Sequence, residues 1–393
     1  MHVHSHSARH AAGDSRRVQV AAALVIVPIA LLTLVSLVWL WPSSEPIETE
    51  QVPGVTQFEG RVTAIEREAC AQELPDDVNG CGSAEVELSE ADDSDRRVEA
   101  PLPNGPGAPE VDEGDDVVVI VSETPDGEVY SIVDHQRASE LWILLGAFAL
   151  ALVAFGRWRG LTALVGLAVT FGLLVFFVVP AILAGEPPLA VAIVGSSAIM
   201  LTVLYLTHGF SLSTTVALLG TLASLTLTAA LSALAVAGLH LSGITDDIST
   251  AVGMTHQVNM EGLLLAGIVI GSLGVLDDVT VTQASTVGEL ARANPAYTVG
   301  QLYRAGSRVG RSHIASVVNT IVLAYAGSAL PLIILLVAAS EPLGGVVTDQ
   351  VIAQEIVRSV VATLGLVAAV PITTGLAALA SRRAAEVEET ARA

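Results

Sequence analysis

Apolar positions follow two different periods along this chain. Between positions 139 and 382 they gather into runs of about 20 residues, the length at which a helix crosses a hydrocarbon layer. These runs read as 139–156, 160–184, 188–208, 212–239, 259–276, 312–339 and 353–381, and an eighth, 18–41, lies near the start behind Arg16 and Arg17. A signal peptide has an apolar core of roughly 7–15 residues and a small-residue cleavage site. The first run is longer and leads into Trp41-Pro42-Ser43-Ser44, so it predicts an uncleaved anchor. Between anchor and second run the segments shorten and become β-like, at 57–66, 84–88, 98–102, 116–122 and 128–133. Asn104-Gly105-Pro106-Gly107 and Pro125-Asp126-Gly127 supply turn chemistry between them. The predicted fold is an α-helical polytopic membrane protein of about eight transmembrane helices, with a small extracytoplasmic β domain built as an OB-like barrel or a sandwich.

Composition agrees with this pattern. Of 393 residues, 52% are hydrophobic and 15% charged, where a soluble domain carries roughly 25% charged residues. Acidic residues concentrate between Ser43 and Arg137, which hold 25 of them against five Arg, a net charge of −20 out of −22 for the whole chain. No basic face remains to neutralise a phosphate backbone, so nucleic acid is excluded as a partner. All 18 basic residues are Arg, which with the Ala, Val and Gly bias points to a GC-rich bacterial genome. Their placement sets a topology. With the N-terminus in the cytoplasm, Arg157 and Arg159, then Arg292, Arg304, Arg308 and Arg311, then Arg382 and Arg383 all fall inside, while the short outer loops near Glu186, Asp246 and Asp349 contain no Arg. The expected organisation is a cytoplasmic tail 1–17, the anchor 18–41, an acidic outer domain 42–138, a seven-helix body 139–382 with a cytoplasmic segment 277–311, and a cytoplasmic tail 383–393 of a plasma-membrane protein. The histidines of the first tail, His2, His4, His6 and His10, receive no function.

Chemistry concentrates in few places. Cys70 and Cys81, the only cysteines, fall in the outer domain, where an oxidising compartment favours a disulfide across the loop between them. Asp277 and Asp278 close the predicted span 259–276. Either they form a cation site or gate at its end, or Asp278 starts the next helix with Thr280 and Gln283 at capping-box spacing. Gly262, Gly267, Gly271 and Gly274 on the same span suit close packing or an ion-coordinating break. His240, Asp246, Asp247, His256, Asn259 and Glu261 could form an outer cation vestibule, although no spacing among them matches a known ligand motif. Thr221, Ser224, Thr228 and Ser232 share one helix face and read equally as packing or as pathway lining; Asn319 is a further uncharged polar candidate. Pro180 with Glu186-Pro187, and Pro331 with Glu341-Pro342, hint at a parallel internal repeat.

The segment Val129-Tyr130-Ser131-Ile132-Val133-Asp134-His135-Gln136-Arg137 and the run Gly274-Val275-Leu276-Asp277-Asp278-Val279-Thr280-Val281-Thr282-Gln283, continued by Glu289-Leu290, resemble the YibE/F family of bacterial membrane proteins. The resemblance covers about Glu59 to Ala380. It implies a plasma-membrane, multi-spanning protein and brings no catalytic residues with it.

Enzyme chemistry finds no support, because H-E-x-x-H, G-x-S-x-G and P-loop motifs are absent and no second Asp lies in a predicted span to meet Asp277. No cofactor is expected. The expected role is movement of a small solute, an inorganic cation favoured, with Asp277 and Asp278 controlling a cytoplasmic exit that Arg304, Arg308 and Arg311 could close by ion pairing. The alternative is a membrane accessory protein whose outer domain binds a partner. The bilayer is the one partner both readings share; an oligomer is compatible with either.

Overall fold

The computed structural model describes residues 7–42, 55–70, 78–89, 96–124, 127–245, 247–338, 345 and 348–392. They divide into two compact units, residues 46–157 and residues 1–45 with 158–393.

The smaller unit is built on five strands, β1 (Val55–Glu68), β2 (Cys81–Ser89), β3 (Arg96–Pro101), β4 (Asp116–Thr124) and β5 (Gly127–His135), in one antiparallel sheet ordered β3-β2-β1-β4-β5. All five coincide with the β-like runs of the sequence. Alternation explains why: Ala84, Val86 and Leu88, Val98 and Ala100, and Val117 and Val119 all point inward, and with Val62, Leu102, Val111 and Ile132 they form the core. β1 is the longest strand because its two pairings are offset along it, with β4 over Val55–Arg61 and with β2 over Glu59–Glu68. Its register shifts between Val62 and Ala64, a bulge that bends it between the two. The edge strands β3 and β5 are joined by an Arg96–Glu128 ion pair of 2.8 Å, with the same guanidinium 5.7 Å from the Tyr130 ring centre.

Buried Asn79 organises the long β3–β4 connection. Its Nδ2 donates to the carbonyls of Pro103 and Pro109, and its Oδ1 accepts from the Val111 amide. The expected disulfide joins Cys70 to Cys81, with Cα atoms 5.1 Å apart. Gly82 follows it at φ +139, and a Cβ there would lie 1.9 Å from the Glu66 carbonyl oxygen, so only glycine fits. The unit ends with α2 (Ala138–Gly156), an apolar helix with no buried residue.

The larger unit begins with α1 (Ser7–Trp39) and continues through α3 (Trp158–Leu173), a π-turn (Leu174–Val178), α4 (Val179–Leu183), α5 (Pro188–His208), α6 (Leu212–Gly238), α7 (Asp247–Thr255), α8 (Met260–Ala293), α9 (Val299–Ser328), α10 (Leu330–Ala338) and α11 (Gln350–Arg392). The wider π-turn directly precedes Pro180, whose ring and missing N–H would obstruct a regular α-turn, so the helix passes through. At Pro331 the outcome differs. The chain breaks at Ala329 between α9 and α10, so the two proline sites are not locally alike, and Glu341-Pro342 lies outside the described residues. α6, α8 and α11 pack against one another, with α5 and α9 flanking α8.

Among the described residues six helices are long and apolar enough to cross a membrane: 138–156, 158–183, 188–208, 212–239, 260–293 and 350–383. The sequence pattern predicts about eight. The two expected runs not among them are 18–41, which lies largely in α1, and 312–339, which is divided between α9 and α10. Two boundaries also move. α8 does not stop at 276 but runs on to Ala293, because Val279, Thr280, Gln283, Ala284 and Val287 continue its buried face with no breaker between. α9 starts at Val299, where Thr298 caps it with Gln301 in a capping box. The expected cytoplasmic segment 277–311 is therefore mostly helix continuous with the body.

Candidate functional site

The hydroxyl row of α6 is the centre of the larger unit's polar chemistry. Thr221, Ser224, Thr228 and Ser232 are each fully buried. Ser224, Thr228 and Ser232 donate their protons to the carbonyls one turn back, on Gly220, Ser224 and Thr228 respectively, at 2.8–2.9 Å, and Thr221 Oγ1 lies 3.0 Å from the Ala217 carbonyl. With those three protons spent on the helix's own backbone, the oxygen lone pairs are what Ser224, Thr228 and Ser232 present to their neighbours. α11 lies directly against it. A Cβ on Gly365 would stand 1.9 Å from Thr228 Oγ1, and one on Gly220 would stand 2.2 Å from Thr373 Oγ1. Each hydroxyl thus nests on the bare backbone of the other helix, and the two contacts set α6 and α11 antiparallel. Thr373 Oγ1 is itself buried without a hydrogen-bond partner.

α8 joins the row at one end. Thr280 Oγ1 lies 2.6 Å from Thr221 Oγ1 and 3.1 Å from the Asp277 carbonyl. One turn on, buried Gln283 donates through Nε2 to the Gly306 carbonyl of α9 at 2.9 Å and to Thr374 Oγ1 of α11 at 2.6 Å. Gly310 leaves room for it, since a Cβ there would lie 2.8 Å from Gln283 Oε1. One amide therefore ties three helices. Asp277 is partly buried and its Oδ1 is enclosed without a partner, whereas Asp278, its neighbour, faces outward.

The helix-start reading of Asp278, Thr280 and Gln283 is corrected here: all three lie inside α8, and the cap of that helix is Asn259, whose Oδ1 accepts from the Gly262 amide at 2.8 Å. The exposed Arg304, Arg308 and Arg311 form no ion pair with Asp277 or Asp278; Arg311 Nε donates instead to the Ser307 carbonyl. Of the four glycines expected to shape this span, Gly262 meets Pro188 and Gly271 meets the Tyr325 hydroxyl, while Gly267 and Gly274 border open space. Asn319 is exposed on α9. In the expected vestibule, Asp246 lies outside the described residues, Asp247 begins α7, and His240, His256 and Glu261 are exposed. Among the described residues no three His, Cys, Asp or Glu side chains converge as a metal site would require.

A cleft of about 1010 Å³ opens where α6 begins and α8 and α11 near their ends, lined by Ser211, Ser213, Tyr297, Arg292 and Arg382 among others. Val216, Ala284, Leu302 and Ala377 form its floor and also pack in the apolar layer next to Gln283. Several seam residues are invisible to pattern reading, namely Gln283 as a clamp, Thr373 and Thr374. The ion pair Glu355–Arg358 is also missed, although Gln354-Glu355-x-x-Arg358 inside a predicted span is a signal that polar residues at membrane depth would have supplied.

In the smaller unit the charged groups sit on the surface. Asp116 accepts two hydrogen bonds from Arg61, at 2.7 and 3.1 Å, which hold its carboxyl below the usual range. The Tyr130 hydroxyl and then Arg96 do the same for Glu128, and Arg137 for Asp134. Arg96, Glu128 and Tyr130 also line a small pocket of about 100 Å³ with Thr56, Phe58 and Glu123.

Residues 144–383, more than half of the chain, match the family described as YibE/F-like protein. No curated protein matches the chain, and no solved structure does.

Proposed function

The chain belongs to the YibE/F-like family, and from that premise we propose that its membrane body moves a small solute, an inorganic cation favoured, along the seam between α6, α8 and α11. The carrying observation is the orientation of the buried hydroxyls. Ser224, Thr228 and Ser232 in succession have committed their protons to backbone carbonyls, so this stretch of the seam is an acceptor-lined route, which suits a hard cation rather than an anion. Asp277, with an enclosed oxygen lacking a partner, is the charge at its α8 end. The nested Thr228–Gly365 contact means that the seam is closed here and that passage requires α6 and α11 to part.

Alongside this, α1 and α9–α10 are read as two further crossings, which places both termini in the cytoplasm of a bacterial plasma membrane and the β unit outside. The β unit is read as an OB-type barrel, a reading supported by the strand order and by Arg96 and Glu128 joining the edge strands β3 and β5. No catalytic step is proposed.

The second reading is an accessory protein whose outer domain engages a partner. It is favoured by the same Thr228–Gly365 contact, since hydroxyls bonded to their own helix also serve plain packing. Purified protein in liposomes, assayed with a panel of ion and solute fluxes, separates the two. Transport of any panel member above protein-free vesicles supports the first reading, and none supports the second.

A further inference from the structure

α11 carries an ion pair in the first turns of its apolar span. Within the span 350–383, Arg358 Nη1 lies 3.1 Å from Glu355 Oε1, with the two side chains only 33% and 25% exposed. Gln354, beside them, is 1% exposed. Gln354 and Arg358 are four residues apart and Glu355 and Arg358 three, so all three side chains share one face of the helix. Each keeps a buried atom without a partner: Gln354 Nε2, Glu355 Oε2 and Arg358 Nε. Two are donors and one is an acceptor. That set is complementary to water, which accepts from Gln354 Nε2 and Arg358 Nε and donates to Glu355 Oε2.

The same face leads somewhere at both ends. Toward the start of α11, Gln350 donates to Ser242 Oγ and to the Ile244 carbonyl in the α6–α7 connection, so the stripe begins at an exposed mouth. In the other direction the Thr228–Gly365 and Gly220–Thr373 contacts fix the antiparallel register of α6 and α11. That register sets Ser232 opposite position 361, within about one turn of Arg358. The polar stripe of α11 thus runs into the hydroxyl row of α6. Tyr325 of α9 brings its hydroxyl against Gly271 of α8.

We propose that the face of α11 bearing Gln350, Gln354, Glu355 and Arg358 lines a hydrated entry into the seam, with the Glu355–Arg358 pair as its charge filter. Arg358 is the resident cation there. An incoming cation reaches the hydroxyl row by replacing it at Glu355, and a fixed guanidinium otherwise repels cations from the entry. The entry deepens the conduction reading, on which its role in transport rests, but its hydration and its charge bias can be measured without any transported solute.

Because both native cysteines are joined in the disulfide, single cysteines can be read in the full chain in lipid. Gln354→Cys and the near-isosteric Ser232→Cys are treated with membrane-impermeant cationic and anionic methanethiosulfonates, beside Ile356→Cys and Val360→Cys on the outward-facing side of α11. The entry predicts that either position 354 or 232 reacts at least about tenfold faster than 356 and 360, and that adding Arg358→Gln raises the cationic-to-anionic rate ratio about tenfold, equivalent to 1.4 kcal/mol. If folded Gln354→Cys and Ser232→Cys both react no faster than the outward-facing controls, the entry is overturned. A ratio unmoved by Arg358→Gln overturns the filter. Absence of flux from wild-type liposomes, with the labelling pattern intact, would instead remove the conduction reading and leave the hydrated site standing.

Discussion

At Gly365 the missing side chain matters more than most side chains in the protein, because Thr228 Oγ1 already occupies the place a Cβ would take. Gly365→Ala should therefore lower the thermal stability of the purified chain by about 1–3 kcal/mol, the usual cost of overpacking. Thr228→Ala in the same chain should restore a large part of it, and a double-mutant cycle showing simple additivity would mean that the two residues do not touch. Gln283 works by connection. Gln283→Leu removes bonds to both Gly306 and Thr374, and with interhelical bonds in membranes worth about 0.6–1.7 kcal/mol each it should cost roughly 1–3 kcal/mol; melting in detergent reads it. The hydroxyl row was legible because its spacing follows the helix period on a single segment. Gln283 was not, because its partners lie 23 and 91 residues away and the nearer Thr280 suggests a local cap.

Among the elements, the strands were legible and their order was not. Alternation along β2 or β4 is written in consecutive residues, whereas the pairing of β1 with both β2 and β4 depends on a bulge and on neighbours far along the chain. The disulfide followed from compartment and spacing. Replacing Cys70 and Cys81 by Ser should destabilise the β unit by roughly 2–3 kcal/mol, the chain-entropy cost for a loop of this size, seen as faster hydrogen exchange in β1 and β2. Equal exchange would show that the bond stabilises nothing. Acid provides a second test at this scale. Asp116, Asp134 and Glu128 all have carboxyls held below their ordinary values, 3.8 for the aspartates and 4.5 for the glutamate, by Arg or Tyr partners. Groups with depressed native pKa values give stability that is present above the ordinary value and lost as pH falls through the native one. Exchange protection of β4 and β5, corrected for intrinsic rates, should hold steady from neutral to about pH 5 and decline only below about pH 4. Loss already near pH 6 would contradict these pairings. Helix ends were the least legible feature. α8 passes through Asp277-Asp278 because its apolar face continues beyond them, a continuity that adjacent carboxylates conceal in a hydropathy reading.

For the whole molecule, sidedness and passage are the open quantities. With the N-terminus in the cytoplasm, eight crossings place Glu123 outside and Arg304 inside; six, without α1 and α9–α10, would reverse both. Labelling of Glu123→Cys and Arg304→Cys from the two sides of sealed vesicles decides between them, and cytoplasmic reaction at position 123 would overturn the arrangement proposed. The central claim is that the seam ending at Asp277 conducts. Its most direct test is the rate of cation entry into liposomes holding equal amounts of wild type, Asp277→Asn and Asp278→Asn. The burial of Asp277 and the outward position of Asp278 predict that the first substitution slows entry at least about tenfold, the equivalent of 1.4 kcal/mol, and that the second leaves it within about twofold. Equal rates for wild type and Asp277→Asn would contradict the account.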